Sequence, residues 1–223
     1  MTGIRECLRA VGIATPVAPA ITGPIVSAPC DTPRMTEIPA KTPPQLPSDA
    51  YSQPWSGADR AQLPRVGGER EVLTAFLDWH RATFEAKCSG IPPERLSEKG
   101  VAPSGLSLHG LLRHLSGVER WWFRMQFAGE DLPHLYYSDD DPDQDFESLD
   151  GDVEEAFAVW RAECERSREI VAGAPSLDAT GRERLSGEPV SLRVILVKLI
   201  AEYARHNGHA DLLRERIDGS TGF

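Results

Sequence analysis

Long apolar runs are missing from this sequence. Nothing in it approaches the roughly 18 continuous apolar residues of a membrane span. Cysteine is scarce: Cys7, Cys30, Cys88 and Cys164 lie far apart and form no CxxC pair. That spacing excludes a disulfide framework and a Cys-type zinc site, and reads as free thiols in a reducing cytoplasm. Basic residues are the minority, 24 Lys and Arg against 34 Asp and Glu, for a net charge of −10. Nucleic acid and anionic membrane both call for clustered basic side chains, so neither is expected as a main partner. A Gly-rich phosphate loop, a G-x-S-x-G elbow and an H-E-x-x-H pair are all absent. No stretch alternates as a strand over several turns.

What is present divides the chain in two. Residues 1–67 hold 11 of the 18 prolines (16, 19, 24, 29, 33, 39, 43, 44, 47, 54 and 64), a density that no helical or alternating period survives. They predict a disordered or loosely packed extension, with Trp55 available to pack onto the domain that follows. Pro16, Pro19 and Pro24 interrupt its mildly apolar run, which argues against a secretion signal, and Met35 offers an alternative start. Residues 68–223 carry helical periodicity and are long enough for a real core.

Four long helices are expected. The first, within residues 68–90, faces inward with Val72, Leu73, Phe76, Trp79, Phe84 and Cys88 and stops at Gly90. The second begins after Ser107, or Ser104 as an alternative cap, and presents Leu111, His114, Val118, Trp121 and Met125. No basic residue lies between Arg124 and Arg161, and the acidic run there reads as a solvated crossover whose order does not fit a calcium loop. Asp152 caps the third helix, which faces in with Val153, Phe157, Trp160, Cys164 and Ile170 and closes at Pro175. A polar loop with a short hairpin around Ser186-Gly187 precedes the fourth helix, which opens at Pro189 or Ser191. This pattern predicts an all-α four-helix bundle with one long crossover between helices two and three.

The inward stripe of the last helix reads Leu192, Ile195, Leu199, Glu202, His206, His209, Leu213. Apolar ends frame a carboxylate and two imidazoles. A core does not accept an ionised Glu without a partner, and a metal ion is one such partner. Glu202 and His206 sit one turn apart, and His114 is the one polar break in the facing stripe of helix two. Together they make a two-His, one-carboxylate set that suits Zn²⁺ with an exchangeable position, and also Ni²⁺, Fe²⁺ or Mn²⁺. His209 shares the face as a fourth ligand, a hydrogen-bonding support or a substrate contact. His109 points away, while His80 and His134 have no helical partner and read as surface residues. Asn207-Gly208 inside a helix is costly, so either the helix breaks there or another backbone approaches closely. Cys88 and Cys164 fall at packed positions without an activating neighbour.

From Glu69 to the C-terminus the chain resembles the DinB/YfiT-like superfamily, nearest to a branch labelled mini-circle protein. The resemblance rests on FLDWHRATFEAKCSG, PSGLSLHGLLRHLSGVERWWF and EPVSLRVILVKLIAEYARHNGHADLLRERIDG. It implies a four-helix bundle holding a metal through three residues, here His114, Glu202 and His206. The common superfamily pattern has His where this chain has Glu202. The mycothiol-dependent maleylpyruvate isomerases of the superfamily use a His, Glu, His set for zinc. His209 falls where many relatives have Gln. The resemblance further implies a thiol cofactor such as mycothiol attacking a small electrophile, as transferase or isomerase. His209 or Arg205 would then orient substrate or move a proton, with Trp121, Trp122 and the acidic crossover lining the entrance. A homodimer is in keeping with relatives that pair through bundle faces. Two other readings use the same residues: a metal-dependent hydrolase with hydroxide as nucleophile, and a non-enzymatic, stress-related bundle with satisfied core histidines.

Overall fold

The computed structural model describes residues 62–222 apart from Asp139, Ser148 and Asp150. All but the last few residues of the Pro-rich segment, with Cys7, Cys30, Met35 and Trp55, lie outside the described residues. Four long helices form the body: α1 (Glu69–Cys88), α2 (Leu108–Glu119), α4 (Val153–Gly173) and α5 (Leu192–Asp218). A single turn, α3 (Gln144–Glu147), interrupts the crossover between α2 and α4. Two three-residue strands, β1 (Thr180–Arg182) and β2 (Pro189–Ser191), pair antiparallel with Gly181 opposite Val190. The architecture is the all-α bundle read from the sequence, and the hairpin spans the expected turn at Ser186-Gly187. Among the described residues no helix is long and apolar enough to cross a membrane.

Local chemistry fixes the helix ends. Ser107, rather than Ser104, caps α2 by accepting from the Gly110 N–H at 3.0 Å. Asp152 does the same for α4 through Glu154 at 2.8 Å, and Ser191 caps α5 through Val194. Gly219 ends α5 with φ 78°, a left-handed conformation that glycine adopts without a Cβ penalty. At the other end of α4 the Arg70 guanidinium of α1 donates to the carbonyls of Val171 and Ala174, satisfying acceptors that the helix leaves open.

The second helix does not remain α throughout. After Glu119 it widens into a π-helix over Arg120–Phe127. Its hydrogen bonds reach five residues back, so each residue advances by a smaller angle and Trp121, Trp122 and Phe123 are all buried in succession. Arg120 and Arg124 both reach Glu163 of α4, pinning this segment to its neighbour. The hairpin seals the far end: a Cβ on Gly181 would lie 2.2 Å from the Gln126 carbonyl oxygen, so only glycine permits this approach.

The core differs in detail from the expected stripes. Leu77, Phe84 and Cys88 of α1 are buried, whereas Val72, Leu73, Phe76 and Trp79 are only half-buried. A cleft of about 580 Å³ opens beside Leu77 of α1, Val171 of α4 and Leu196 of α5. Phe157 and Ile170 of α4 are likewise half-buried. Mid-bundle, one polar knot joins all four long helices. Arg81 of α1 grips Glu119 of α2 through two bonds of 2.8 and 2.7 Å. Tyr203 of α5 donates to the same carboxylate at 2.8 Å and accepts from Trp160 of α4 at 2.9 Å. Glu119 and Tyr203 are fully buried, so each must be satisfied internally, and the knot does so.

α5 runs unbroken through Asn207-Gly208, and a Cβ on Gly208 would meet nothing within 4 Å. Neither expected explanation of that glycine holds. Asn207 instead donates to the His80 carbonyl at 3.1 Å across the α1–α5 seam.

Candidate metal centre

His114 stands in the middle of α2, and Glu202 and His206 lie one turn apart on the face of α5 that meets it. Their placement follows from sequence: each interrupts an apolar stripe, so the packing that buries the neighbouring leucines carries the three polar groups inward together. One ligand atom from each of the three lies within 4.8 Å of the others. His114 Nε2 and His206 Nε2 approach the same Glu202 Oε1, at 3.3 and 3.1 Å. All three residues are buried, with 5, 8 and 7 % of their surface exposed.

This convergence is unusual as mere packing. Burial of a carboxylate is costly, and here two imidazole nitrogens meet one of its oxygens while the Arg205 guanidinium stands 3.6 Å from the other. Burial would lower the His114 pKa, but hydrogen bonds to the Asp145 and Glu202 carboxylates outweigh that and push it up to about 9. His206 goes the other way: burial, only partly offset by Glu202, pushes it down to about 4. Two histidines on one carboxylate thus have opposite proton affinities. Two nitrogens and one oxygen converging in a buried site fit a divalent ion of borderline softness, Zn²⁺ first and Ni²⁺ or Fe²⁺ next. His114, Glu202 and His206 are the residues that can hold it.

The remaining sequence candidates fall around this triad. His209 lies beside it, its Nδ1 3.3 Å from His206 Nδ1. Of two facing imidazole nitrogens one must donate; with a metal held at His206 Nε2, His206 Nδ1 would carry the proton and His209 Nδ1 would accept. Arg205 is half-exposed, its guanidinium 3.6 Å from Glu202 Oε2. Of the three other histidines, two depart from expectation. His80 is half-buried against Asn207. His134 is stacked between Trp121 and Tyr137, with ring centroids 5.4 and 4.6 Å away. His109 is buried with its Nδ1 2.9 Å from Ser97 Oγ. The first two are packed by aromatic or amide neighbours from other elements, which helical periodicity alone does not register.

One residue at the site was not anticipated. Asp145, in the acidic run read as solvated, is fully buried, and its Oδ2 lies 2.9 Å from His114 Nδ1. The crossover therefore packs rather than floats. Phe146 rests on Gly110, and Tyr137 rests on Gly117, both on α2. The signal available in the sequence was Phe146, an aromatic residue inside a run of acids that solvation alone gives no reason to keep.

A family model for mycothiol-S-transferase matches residues 72–219, from the first turn of α1 to the C-cap of α5. The chain belongs to the mycothiol-S-transferase family. That family lies within the DinB/YfiT-like superfamily. Its match takes in all four long helices and the whole His114, Glu202, His206 group. No curated protein matches the chain. Membership in the mycothiol-S-transferase family associates this bundle with thiol chemistry.

Proposed function

We propose that the chain is a metal-dependent S-transferase joining the sulfur of a mycothiol-type thiol to a small electrophile. The S–H bond of the thiol is broken and a bond from sulfur to the electrophilic carbon forms, with the leaving group and the proton departing together. The convergence of His114, Glu202 and His206 within 4.8 Å, inside the residues matched to the mycothiol-S-transferase family, carries this reading. A divalent ion held by these three supplies stabilisation of sulfur as thiolate, its nucleophilic form, at neutral pH.

The protein's own groups do the rest. With a metal on His206 Nε2, His209 Nδ1 would accept from His206 Nδ1–H and its Nε2–H would be a donor. Half-exposed His209 and the Arg205 guanidinium stand as two donors beside the triad. Both suit an electrophile whose carbonyl or leaving group gains negative charge as the new bond forms. Residues 68–223 act as the catalytic domain in this reading, with the segment before them as an extension. A low-molecular-weight thiol substrate fits a reducing cytoplasm.

The test is turnover with mycothiol and 1-chloro-2,4-dinitrobenzene by zinc-loaded protein, beside Glu202→Ala with its fold verified by circular dichroism. Conjugate should form above the uncatalysed rate only when thiol is present, and Glu202→Ala should return it to background. Consumption of electrophile without thiol would point to the hydrolase instead. Equal turnover by the folded variant would remove the triad from the chemistry.

A further inference from the structure

The acidic crossover sinks one of its carboxylates completely. Asp145 has no exposed surface, although Glu147 in the same α3 turn faces solvent. Burying a carboxylate is unfavourable unless charge or hydrogen bonds compensate it. Asp145 Oδ2 is compensated by His114 Nδ1 at 2.9 Å, while its Oδ1 is buried without a hydrogen-bond partner among the described residues. The turn that carries it is seated with care. The Phe146 ring lies 5.1 Å from the His114 ring, and a Cβ on Gly110 would come within 3.0 Å of Phe146. Two α-helical turns later, Gly117 makes room for Tyr137 in the same way.

The consequence falls on His114. Its imidazole has a carboxylate at each nitrogen, Asp145 at Nδ1 and Glu202 at Nε2. A neutral imidazole carries one proton. In the neutral form that a metal ligand must take, a proton held on Nδ1 by Asp145 leaves the Nε2 lone pair directed toward Glu202 and His206, free to bind an ion there. Reversing the tautomer would leave the Asp145 oxygen facing a lone pair in a buried site.

We propose that Asp145 is a positioning residue of the metal centre. It fixes His114 with its proton on Nδ1 and its Nε2 aimed at Glu202 and His206, so the crossover is a working wall of the site. This rests on the metal-binding reading above, and it assigns a role to a residue outside the ligand set. Carboxylates that orient a ligating histidine typically contribute roughly 10–100-fold to metal affinity.

The test compares tag-free wild type, Asp145→Asn and Glu147→Gln by competition for Zn²⁺ against a chromophoric chelator. Asp145→Asn keeps the size of the side chain but removes the charge, and should weaken Zn²⁺ binding by roughly 10–100-fold. Glu147→Gln removes a charge from the same turn without touching the site, and should leave affinity unchanged. Nitrogen-15 spectra of zinc-loaded wild type should show His114 protonated at Nδ1 and metal-bound at Nε2. That measurement decides the matter even if Asp145→Asn does not fold. Wild-type affinity in Asp145→Asn, or metal on Nδ1, would overturn the positioning role and leave the metal site standing. Absence of Zn²⁺ binding in both wild type and Glu147→Gln would overturn both.

Discussion

Tyr203→Phe tests the polar knot that joins the four long helices. The phenol oxygen donates to Glu119 Oε1 at 2.8 Å and accepts from Trp160 Nε1 at 2.9 Å, with Tyr203 fully buried. Removing it deletes these two hydrogen bonds and a weaker one to Cys164 Sγ at 3.7 Å, and leaves the indole N–H facing no acceptor. An orphaned buried donor costs about 1–3 kcal/mol, and a bond to a charged group contributes about 1.5–3 kcal/mol. Glu119 keeps both bonds from Arg81, so its share sits at the low end. The expected loss is therefore about 3 kcal/mol, equivalent to a fall in Tm of roughly 6–12 °C for a domain of this size. Urea unfolding of chelated protein, followed by tryptophan fluorescence, measures it without interference from bound metal. A cycle with Trp160→Phe should show coupling of about 1–2 kcal/mol, because the two changes remove the same bond. A loss below about 0.5 kcal/mol, or strict additivity in the cycle, would refute the view that this network is satisfied and cooperative.

Three further outcomes follow from single observations. Gly208→Ala should stabilise the protein by about 0.5–1 kcal/mol, since the position is helical and exposed and a Cβ there meets nothing within 4 Å; a loss of stability in urea would show that the site is crowded. Burial pushes the Cys88 and Cys164 thiols well above their ordinary value, so neither should be alkylated by iodoacetamide in native protein at pH 8, while both should react in urea; peptide mass spectrometry reads both outcomes. In chelated protein, burial pushes His206 down to about 4. Below about pH 6.5 the unfolded chain then takes up a proton that the folded state refuses, and stability falls as pH drops toward 4. His114 is opposed by burial but raised to about 9 by its two carboxylates, so its contribution is full below about pH 6.5 and is lost as pH rises through 9. Urea midpoints should peak near pH 6.5, and His206→Gln should flatten only the acid limb; a flattened alkaline limb would reverse the assignment.

Much of the architecture was legible because burial leaves a period in sequence. His114 and the pair Glu202 and His206 were visible as polar breaks in two apolar stripes, and the caps at Ser107 and Asp152 carry a side-chain chemistry that marks a helix start. Other features leave no such mark. The π-helix at Arg120–Phe127 shifts hydrogen bonds by one residue without altering composition. Asp145 is hidden because a run of acids gives no sign of which one is buried, and its partner lies 31 residues away. The Arg81–Glu119 pair was equally silent, since either residue alone reads as a solvated charge. His80 and His134 were misread as surface groups for a related reason: their contacts come from Asn207 of α5 and from the π-helix and crossover, not from their own helical neighbours.

The most direct measurement is the metal content of protein purified without a His tag, by mass spectrometry of its ions, beside His114→Ala, Glu202→Ala and His206→Ala. The account predicts about one divalent ion per wild-type chain, lost from each variant while circular dichroism shows the helices retained. Wild type that holds no ion even after incubation with Zn²⁺, Ni²⁺ or Fe²⁺ would contradict it, leaving three buried side chains that satisfy one another in a bundle without a metal centre.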